Sequence, residues 1–290
     1  MRENLDINSN DNTLFVTGQC NNNCIMCCQP PTKKNDFDFF YEQNLRLIQT
    51  APKDLSVIGI SGGEPTLLGE RFFDLVAQIR ENLPETMIHV LSNGRQFCIE
   101  SYAVKLKEIG QNKISLGIPL HSDSSLIHDE IAGVKNAFNE TILGLYNLAA
   151  VGLPIELRIV INQLNYSRLP ELSTFIFKNL SFVTSVSFMG MEYIGFAVKN
   201  SEQIWIEPIG YVQSLRKAVL DLSSWNIDVS IFNLPLCLLP DDLHSFARKS
   251  ISDWKNNYAD MCETCIKKEE CCGLFTTSKR VFTGLKSFTI

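Results

Sequence analysis

The feature that most constrains the fold is an alternation of short apolar runs with longer segments of helical periodicity. Six runs are candidate strands, at residues 14–17, 55–60, 87–91, 114–120, 155–161 and 183–189. Most are apolar throughout, as in parallel strands that are covered on both faces. Helical patterns lie between them, at residues 39–49, 72–81, 102–109, 141–150 and 169–180. Repeated strand–helix units of this kind predict right-handed crossovers and a parallel sheet, open or curled into a barrel.

The number of units predicts the domain organisation. Six units end near residue 222, and an eight-unit barrel would leave no room for the rest of the chain. We therefore predict an α/β fold with a partial (β/α)6 barrel over residues 13–225, after a polar tail at residues 1–12. Residues 226–290 are predicted to form a small cysteine-rich metal-cluster domain, which opens with a strand pattern at 227–232. Beyond Pro240 this segment is too short and polar to fold without a metal.

Charge and hydropathy exclude several classes of function. The net charge of −6 over 290 residues argues against a nucleic-acid partner, which would need a concentrated basic face. No apolar stretch approaches the roughly 18 to 20 residues that a membrane span needs. The polar start lacks the basic flank and apolar run of a signal peptide. We therefore expect a cytoplasmic protein with neither nucleic acid nor membrane as a partner.

Ten cysteines are present, and eight of them fall into two tight groups. The groups are Cys20, Cys24, Cys27 and Cys28 near the start, and Cys262, Cys265, Cys271 and Cys272 near the end. Cys98 and Cys237 stand apart. In a long chain without an export signal, clustered cysteines indicate metal ligands rather than disulfides.

The first cysteine loop, which runs from Cys20 to Cys27, directly follows the first predicted strand. Its three thiolates at Cys20, Cys24 and Cys27 are soft ligands, which favour iron–sulfur or zinc over hard cations. Three ligands would leave one iron of a cubane open, as a catalytic metal site requires. Cys28 could be a fourth ligand of a zinc ion, although adjacent cysteines rarely bind one small metal together.

This Cys-x3-Cys-x2-Cys spacing after the first strand resembles the signature of the radical S-adenosylmethionine (SAM) superfamily. The resemblance implies a [4Fe-4S] cluster whose open iron is chelated by SAM. It also implies reductive cleavage of SAM to methionine and a 5′-deoxyadenosyl radical, which abstracts hydrogen from a substrate. A flavodoxin or ferredoxin is the electron donor that the family leads us to expect. Met26 stands where the family usually has an aromatic residue, and a methionine can fill that space.

A glycine-rich motif follows the second predicted strand and strengthens the resemblance. Gly62, Gly63, Glu64 and Pro65 match the family's Gly-Gly-Glu-Pro motif, which binds the amino group of SAM. Alone, the motif would indicate only a turn before a helix. Two motifs at the tips of consecutive strands are more specific, because barrels of this kind build their sites at the carboxyl ends of strands.

Polar residues at the next strand tips resemble further SAM contacts of the family. They are Ser92, Asn93, Ser122 and Arg158. Ser92 and Asn93 could also form an ordinary turn. Arg158 could pair with the SAM carboxylate or with Glu156. Two roles are open for His121: a hydrogen-bonded polar residue of the fold, or an acid or base on the substrate side.

The last cysteines resemble the ligands of auxiliary clusters, known as SPASM and twitch, that follow radical SAM barrels. Cys262, Cys265 and Cys271, with Cys237 upstream, would close one auxiliary [4Fe-4S] cluster, and the full two-cluster pattern needs more cysteines than are present. Spacing favours Cys271 over Cys272 as the last ligand. A structural zinc site with the same four ligands is the alternative.

Three stretches resemble the His-Xaa-Ser system radical SAM maturases. They cover residues 24–31, 234–240 and 246–254. This resemblance implies a ribosomally made peptide as substrate, modified at an unactivated carbon. No winged-helix leader-binding domain precedes the first predicted strand, so we expect peptide recognition by the barrel mouth, the cysteine-rich segment or a partner protein. A small-molecule radical SAM dehydrogenase would share every motif, and a non-catalytic metal-binding module would leave the glycine motif unexplained.

Overall fold

The structure is a computed structural model that describes residues 4–9, 11–250, 255–278 and 280–289. Three sequence-based assignments therefore fall partly outside the described residues. These are the polar tail at positions 1–3 and 10, the maturase-like stretch at positions 251–254, and the cysteine-rich segment at positions 251–254, 279 and 290.

A seven-stranded sheet organises the chain, and its strands follow one another in sequence order. They are β1 (Thr13–Phe15), β2 (Val57–Ser61), β3 (Met87–Leu91), β4 (Ile114–Pro119), β5 (Ile155–Val160), β6 (Ser185–Met189) and β7 (Asp228–Phe232). A separate antiparallel pair consists of β8 (Asn256–Asn257) and β9 (Leu274–Phe275). The predicted α/β fold with a parallel sheet is confirmed.

Helices connect the strands of the sheet. They are α1 (Phe37–Thr50), α2 (Glu70–Asn82), α3 (Glu100–Gly110), α4 (Ser125–Ala132), α5 (Ala137–Ala150), α6 (Leu169–Asn179), α7 (Phe196–Lys199), α8 (Ser201–Ile204) and α9 (Pro208–Ser224). Short 3-10 turns follow β2 at Pro65–Leu68 and β3 at Arg95–Cys98. None of the helices within the described ranges is long and apolar enough to cross a membrane.

The seventh strand extends the sheet beyond the six units that the sequence predicted. β7 pairs in parallel with β6 in a register that runs from Ser185 opposite Asp228 to Met189 opposite Phe232. The long helix α9 supplies the crossover that returns the chain parallel to β6. A domain boundary at residue 226 would separate β7 from its neighbour β6. The sequence suggested this boundary because the prolines and cysteines that follow β7 differ from the strand–helix pattern before it. The limits of an auxiliary domain remain a prediction.

Contacts divide the chain into two compact units. The first comprises the residues up to Asn23, together with Gln29–Pro119 and Val134–Glu156. The second comprises Cys24–Cys28, Leu120–Gly133 and the residues from Leu157 onward.

Each unit has an apolar core of its own. In the first unit, β2 and β3 bury alternate residues, and the helices bury large side chains such as Phe72 and Phe97. In the second unit, α6 and α9 pack together through buried residues that include Ile176 and Leu215. Alternate burial indicates one closed face and one partly accessible face on strands β2 and β3.

Candidate active site

The glycine motif after β2 docks directly on the segment that leads into the first cysteine loop. The Gly63 amide donates to the carbonyl of Thr17 at 2.7 Å, and the Glu64 amide donates to the carbonyl of Gln19 at 2.8 Å. A Cβ atom on Gly63 would lie 2.0 Å from the Gln19 oxygen, and one on Gly62 would lie 2.5 Å from the Thr17 oxygen. Only glycine allows the two backbones to approach this closely. The sequence motif thus fixes the start of the cysteine loop.

Asp36 anchors the same segment from the other side. Its carboxylate accepts hydrogen bonds from the Thr17 hydroxyl at 2.6 Å and from the Gly18 amide at 2.9 Å. The Gly18 carbonyl in turn accepts the Thr32 amide at 2.9 Å. Sequence reasoning did not find Asp36, because an aspartate just before a helix is ordinarily a capping residue.

The Glu64 carboxylate is fully buried and joins the tips of β2 and β3. One oxygen accepts the Thr66 amide at 3.1 Å, the Thr66 hydroxyl at 2.7 Å and the Ser92 hydroxyl at 2.8 Å. The other accepts the Asn93 amide at 2.7 Å. Burial raises the pKa of Glu64, and these hydrogen bonds oppose the rise. The carboxylate is therefore occupied by protein donors, and Pro65 follows it at the start of the 3-10 turn Pro65–Leu68.

The turn after β3 reaches the first half of the cysteine loop. The Asn93 side-chain amide donates to the Asn21 side-chain oxygen at 2.6 Å and lies 4.0 Å from the Cys20 sulfur. The Cys20 sulfur also accepts the Asn22 amide at 3.3 Å. Burial is the main cause that raises the pKa of the Cys20 thiol. Ser92 and Asn93 are thus brought together with Glu64 and Cys20.

Cys24 and Cys27 form a tight turn in the second unit. The Cys27 amide donates to the Cys24 carbonyl at 3.0 Å. Between them, the Ile25 amide donates to the carbonyl of Ile131 on α4 at 2.9 Å, and the Asn200 side chain donates to the Ile25 carbonyl at 2.8 Å. Hydrogen bonds to the Ile25 amide and to its carbonyl therefore hold the turn from two sides.

A further backbone contact fixes the end of this turn. The Phe196 amide, at the start of α7, donates to the Cys27 carbonyl at 2.9 Å. Gly195 precedes it with φ of +59°, and a Cβ atom there would lie 2.5 Å from the Cys27 oxygen. Cys28 follows and is exposed. Gly195 is required here both for its positive φ and for the close approach.

Met26 is buried in an apolar cluster of the second unit. The buried members of the cluster are Met26, Ile131, Met191, Ala197 and Ile204. The side chain of Met26 thus anchors the cysteine turn by burial, which suits a flexible thioether.

Ser122 belongs to a polar turn at the start of α4. Its hydroxyl donates to the Asp123 carboxylate at 3.3 Å and accepts the Ser124 amide at 3.2 Å. Arg168 binds Asp123 through two guanidinium nitrogens, at 2.9 and 2.5 Å. In the same unit, a guanidinium nitrogen of Arg158 lies 3.5 Å from the sulfur of Met189.

His121 is buried at the carboxyl end of β4, and neither of its ring nitrogens has a hydrogen-bond partner in the structure. Its backbone is fully paired, since the amide donates to His128 Nδ1 at 3.2 Å and the carbonyl accepts the Asn165 side chain at 2.9 Å. Burial, and secondarily His128, lowers the pKa of His121 well below its ordinary value. The ring is therefore a neutral donor and acceptor whose position is fixed by its backbone.

The second cysteine site, defined here as Cys237, Cys262, Cys265 and Cys271, lines one pocket within the second unit. Three lysines, Lys267, Lys268 and Lys286, line the same pocket. Their positive charge suits a site whose ligands are anionic thiolates. None of the ten cysteines, all of which lie in the described ranges, forms a disulfide.

Backbone amides point at three of these four sulfurs. The Phe288 amide donates to Cys265 at 3.5 Å, and the amides of Leu236 and Gly273 each donate to Cys271 at 3.3 Å. A backbone hydrogen bond from Lys286 also reaches the Cys237 thiol. Amide hydrogen bonds to ligand sulfurs are a feature of iron–sulfur sites, where they tune the cluster.

Cys271 and Cys272 differ sharply in their surroundings. A hydrogen bond from Cys272 is the main cause that lowers the pKa of Cys271 to about 6. The Cys272 thiol is buried and donates to the Gly273 carbonyl at 3.4 Å, and its pKa is raised by its bond to Cys271 and by burial. Cys271 is therefore the more readily deprotonated of the two thiols.

In the described ranges, no three His, Cys, Asp or Glu side chains converge closely enough to hold a single metal ion. A four-iron cluster distributes its ligands, one thiolate to each iron, so its cysteines need not converge on one point. The four cysteines of the second cysteine site line one pocket, and their soft sulfur ligands suit such a cluster chemically.

Comparison with protein families gives one match over more than half of the chain. The family model described as the radical SAM superfamily matches residues 14–176. The match covers the first cysteine loop, all of β1 except its first residue, and strands β2 to β5.

Curated relatives share sequence over part of their length. Fe-coproporphyrin III synthase of Methanosarcina barkeri is 28% identical over 162 residues, which are 54% of this chain and 38% of that protein. The sporulation killing factor maturation protein SkfB of Bacillus subtilis is 26% identical over 154 residues, which are 53% of this chain and 36% of that protein. The chain thus spans well under two thirds of either relative.

Solved structures share the fold. SuiB of Streptococcus suis, bound to SAM, aligns with a TM-score of 0.58 at 18% identity over 80% of this chain and 50% of SuiB. SuiB bound to its precursor peptide SuiA aligns equally well, with a TM-score of 0.58 at 17% identity over 80% of this chain and 49% of SuiB.

Proposed function

This chain belongs to the radical SAM superfamily, and from that premise we propose that it cleaves SAM reductively to modify a peptide. Cys20, Cys24 and Cys27 would hold a [4Fe-4S] cluster, which would supply the electron for reductive cleavage of SAM and so allow hydrogen abstraction from a substrate. The chain's own residues bind the cluster and SAM, orient them and exclude water.

Cys20, Cys24 and Cys27 are the proposed cluster ligands. The observation that carries this assignment is the docking of Gly63 and Glu64 on the carbonyls of Thr17 and Gln19, immediately before Cys20. This docking supports a role for the glycine motif in fixing the segment that leads into Cys20. Cys28 is exposed and adjacent to Cys27, so we leave it outside the ligand set.

The proposed SAM contacts divide into direct and indirect roles. We assign Gly62, Gly63, Ser122 and Arg158 to direct contact. Glu64, by contrast, has its carboxylate occupied by Thr66, Ser92 and Asn93, so its proposed role is indirect. It fixes Ser92 and Asn93 at the tip of β3, and Pro65 fixes Glu64 at the start of its turn.

One auxiliary [4Fe-4S] cluster is proposed at the second cysteine site. Its support is the set of backbone amides that donate to Cys237, Cys265 and Cys271. Zinc would require the four sulfurs to converge at about 2.3 Å from one ion. The thiolate character of Cys271 supports it as the fourth ligand in preference to Cys272.

A ribosomally made peptide is the proposed substrate. One relative is named as a maturation protein, SkfB, and one similar structure, SuiB, is bound to its precursor peptide SuiA. The resemblance to His-Xaa-Ser system maturases points the same way. Fe-coproporphyrin III synthase is the observation that favours the second candidate, a small-molecule substrate. A flavodoxin or ferredoxin is the proposed electron donor.

Iron content tests the two-cluster proposal. Anaerobic reconstitution should load roughly eight irons per chain, four at each site. Cys24→Ala should remove the irons of the first site, and Cys265→Ala those of the second. Loading of zinc at either site, with no iron, would overturn the assignment of that site.

Mass spectrometry of a co-expressed candidate precursor peptide tests the substrate. A mass change that requires the wild-type enzyme and is absent with Cys24→Ala supports the peptide proposal. An unmodified precursor, together with turnover of a tetrapyrrole or another small molecule, would favour the alternative.

A further inference from the structure

Arg95 contacts the segment between Cys20 and Cys24 directly through its side chain, and no motif of the sequence pointed to it. One guanidinium nitrogen donates to the Asn21 carbonyl and to the Asn22 side-chain oxygen, both at 2.7 Å. The side chain is only 12% exposed. A rigid guanidinium fork thus holds two consecutive residues of the loop at once.

Helix α5 orients the guanidinium through a nitrogen other than the one that contacts the cysteine loop. The Arg95 Nε donates to the Glu140 carboxylate at 2.6 Å. One residue further along, the Thr141 hydroxyl donates to the Asn93 carbonyl at 3.2 Å. A Cβ atom on Gly144 would lie 2.3 Å from the Gly94 carbonyl oxygen, so the helix approaches the turn only because residue 144 is glycine. These contacts lie on one face of α5.

The held segment in turn contacts the Cys20 sulfur. Asn22 accepts from Arg95 through its side chain and donates its amide to the Cys20 sulfur at 3.3 Å. Asn93, which approaches the same sulfur, bonds to Asn21. The chain of contacts therefore runs from Glu140 through Arg95 to Cys20.

We propose that Arg95, oriented by Glu140, is a positioning residue that holds Asn21 and Asn22 so that Cys20 presents its thiolate to the cluster. This inference rests on the proposed function, in which Cys20 is a cluster ligand. Arg95 does not itself bind the cluster, so its removal should loosen the first site and leave the second cysteine site intact.

The test compares Arg95→Met, Arg95→Lys and Glu140→Gln with the matched control Arg71→Met. Arg71 belongs to the same unit and pairs with Asp38, but its side chain is 47% exposed. Two readouts are used on reconstituted protein. One is the change that SAM causes in the EPR spectrum of the reduced cluster, and the other is the rate at which an iron chelator bleaches the cluster.

In Arg95→Met, SAM should no longer change the EPR spectrum of the reduced cluster. A chelator should remove the first-site irons roughly tenfold faster than from the wild type, because a tenfold change corresponds to the loss of about one charged hydrogen bond. Arg95→Lys keeps the positive charge but loses the planar guanidinium, and Glu140→Gln keeps the guanidinium but weakens the hydrogen bond that orients it. Both variants should therefore lie between the wild type and Arg95→Met. Arg71→Met should match the wild type. Half of the iron, at the second cysteine site, should persist in every variant.

Three outcomes would overturn the inference. Equal behaviour of Arg95→Met and Arg71→Met would remove the positioning role. Parallel loss of iron from both sites in Arg95→Met and Glu140→Gln would show a general folding role instead. A wild-type protein without any SAM-dependent EPR change would reject the proposed function itself, and the inference with it.

Discussion

At the scale of single residues, His121 carries a prediction about pH. Its folded-state pKa lies below the unfolded value of about 6.5, so the unfolded chain binds more protons as the pH falls. The stability that depends on the neutral ring is present above about pH 6.5 and is lost progressively below that pH. His121→Phe removes the titrating group and the unpaired ring nitrogens, and should stabilise the metal-free protein by about 1–3 kcal/mol. Thermal unfolding between pH 5 and 8 measures both effects.

The matched control for this prediction is His89→Phe, because His89 is 29% exposed and already bonded to Ser115. It should lower rather than raise stability. If His121→Phe destabilises the protein and leaves the acid-dependent loss unchanged, the buried unpaired imidazole is not the group responsible.

The other polar residues of the candidate site differ in whether the local sequence points to them. The cysteines and glycines stand out because their spacing relative to a strand is itself the signal. Asp36 and Arg95 do not, since their partners Thr17 and Asn21 lie distant in sequence. Glu64 stands out by its motif, but its hydrogen bonds to Ser92 and Asn93 depend on neighbouring strand tips and are visible only in the fold.

At the scale of elements, the strand pattern predicted the ends of every strand of the sheet within about two residues. It did not predict that β7 joins the sheet beside β6. Its pairing with β6 depends on the crossover helix α9, which periodicity does not orient. The sheet also positions the loops: β2 ends where Gly62 and Gly63 meet the cysteine segment. Loop contacts of this kind are set by tertiary geometry and have no local signature.

Gly63→Ala tests the docking of these two loops. Its Cβ would lie 2.0 Å from the Gln19 carbonyl oxygen, so the two backbones must separate and both hydrogen bonds to the cysteine segment weaken. We expect a loss of roughly 1–3 kcal/mol in unfolding free energy, typical of overpacking, and loss of first-site iron. Gly210→Ala, in α9 against the flexible end of Ile206, is the control and should retain iron. Normal iron loading in Gly63→Ala would contradict the docking role.

Substitutions at Phe288 test whether a backbone amide raises the midpoint potential of the cluster proposed at the second cysteine site. Phe288→Pro removes the amide that donates to the Cys265 sulfur, so the reduced cluster loses a stabilising hydrogen bond and its midpoint potential should fall. Phe288→Leu keeps that amide and should leave the potential near its wild-type value. Redox titration followed by EPR measures both. Equal shifts in the two variants would assign the effect to the ring and not to the amide.

At the scale of the whole molecule, the family follows from two motifs at consecutive strand tips, and the fold agrees with it. Both were accessible from sequence because the alternation of strand and helix patterns and the spacing of motifs are local properties. The amides that reach Cys237 and Cys265 come from positions 286 and 288, and only the folded chain brings them there. The substrate depends on surfaces that no motif encodes, so it rests on resemblance alone.

The most direct test of the central claim is the formation of 5′-deoxyadenosine from SAM by anaerobically reconstituted protein with a chemical reductant. The wild type should form 5′-deoxyadenosine and methionine, and Cys24→Ala should form neither. Cys265→Ala should retain this cleavage while losing turnover of the substrate. A wild-type protein that binds zinc and leaves SAM intact under these conditions would contradict the account.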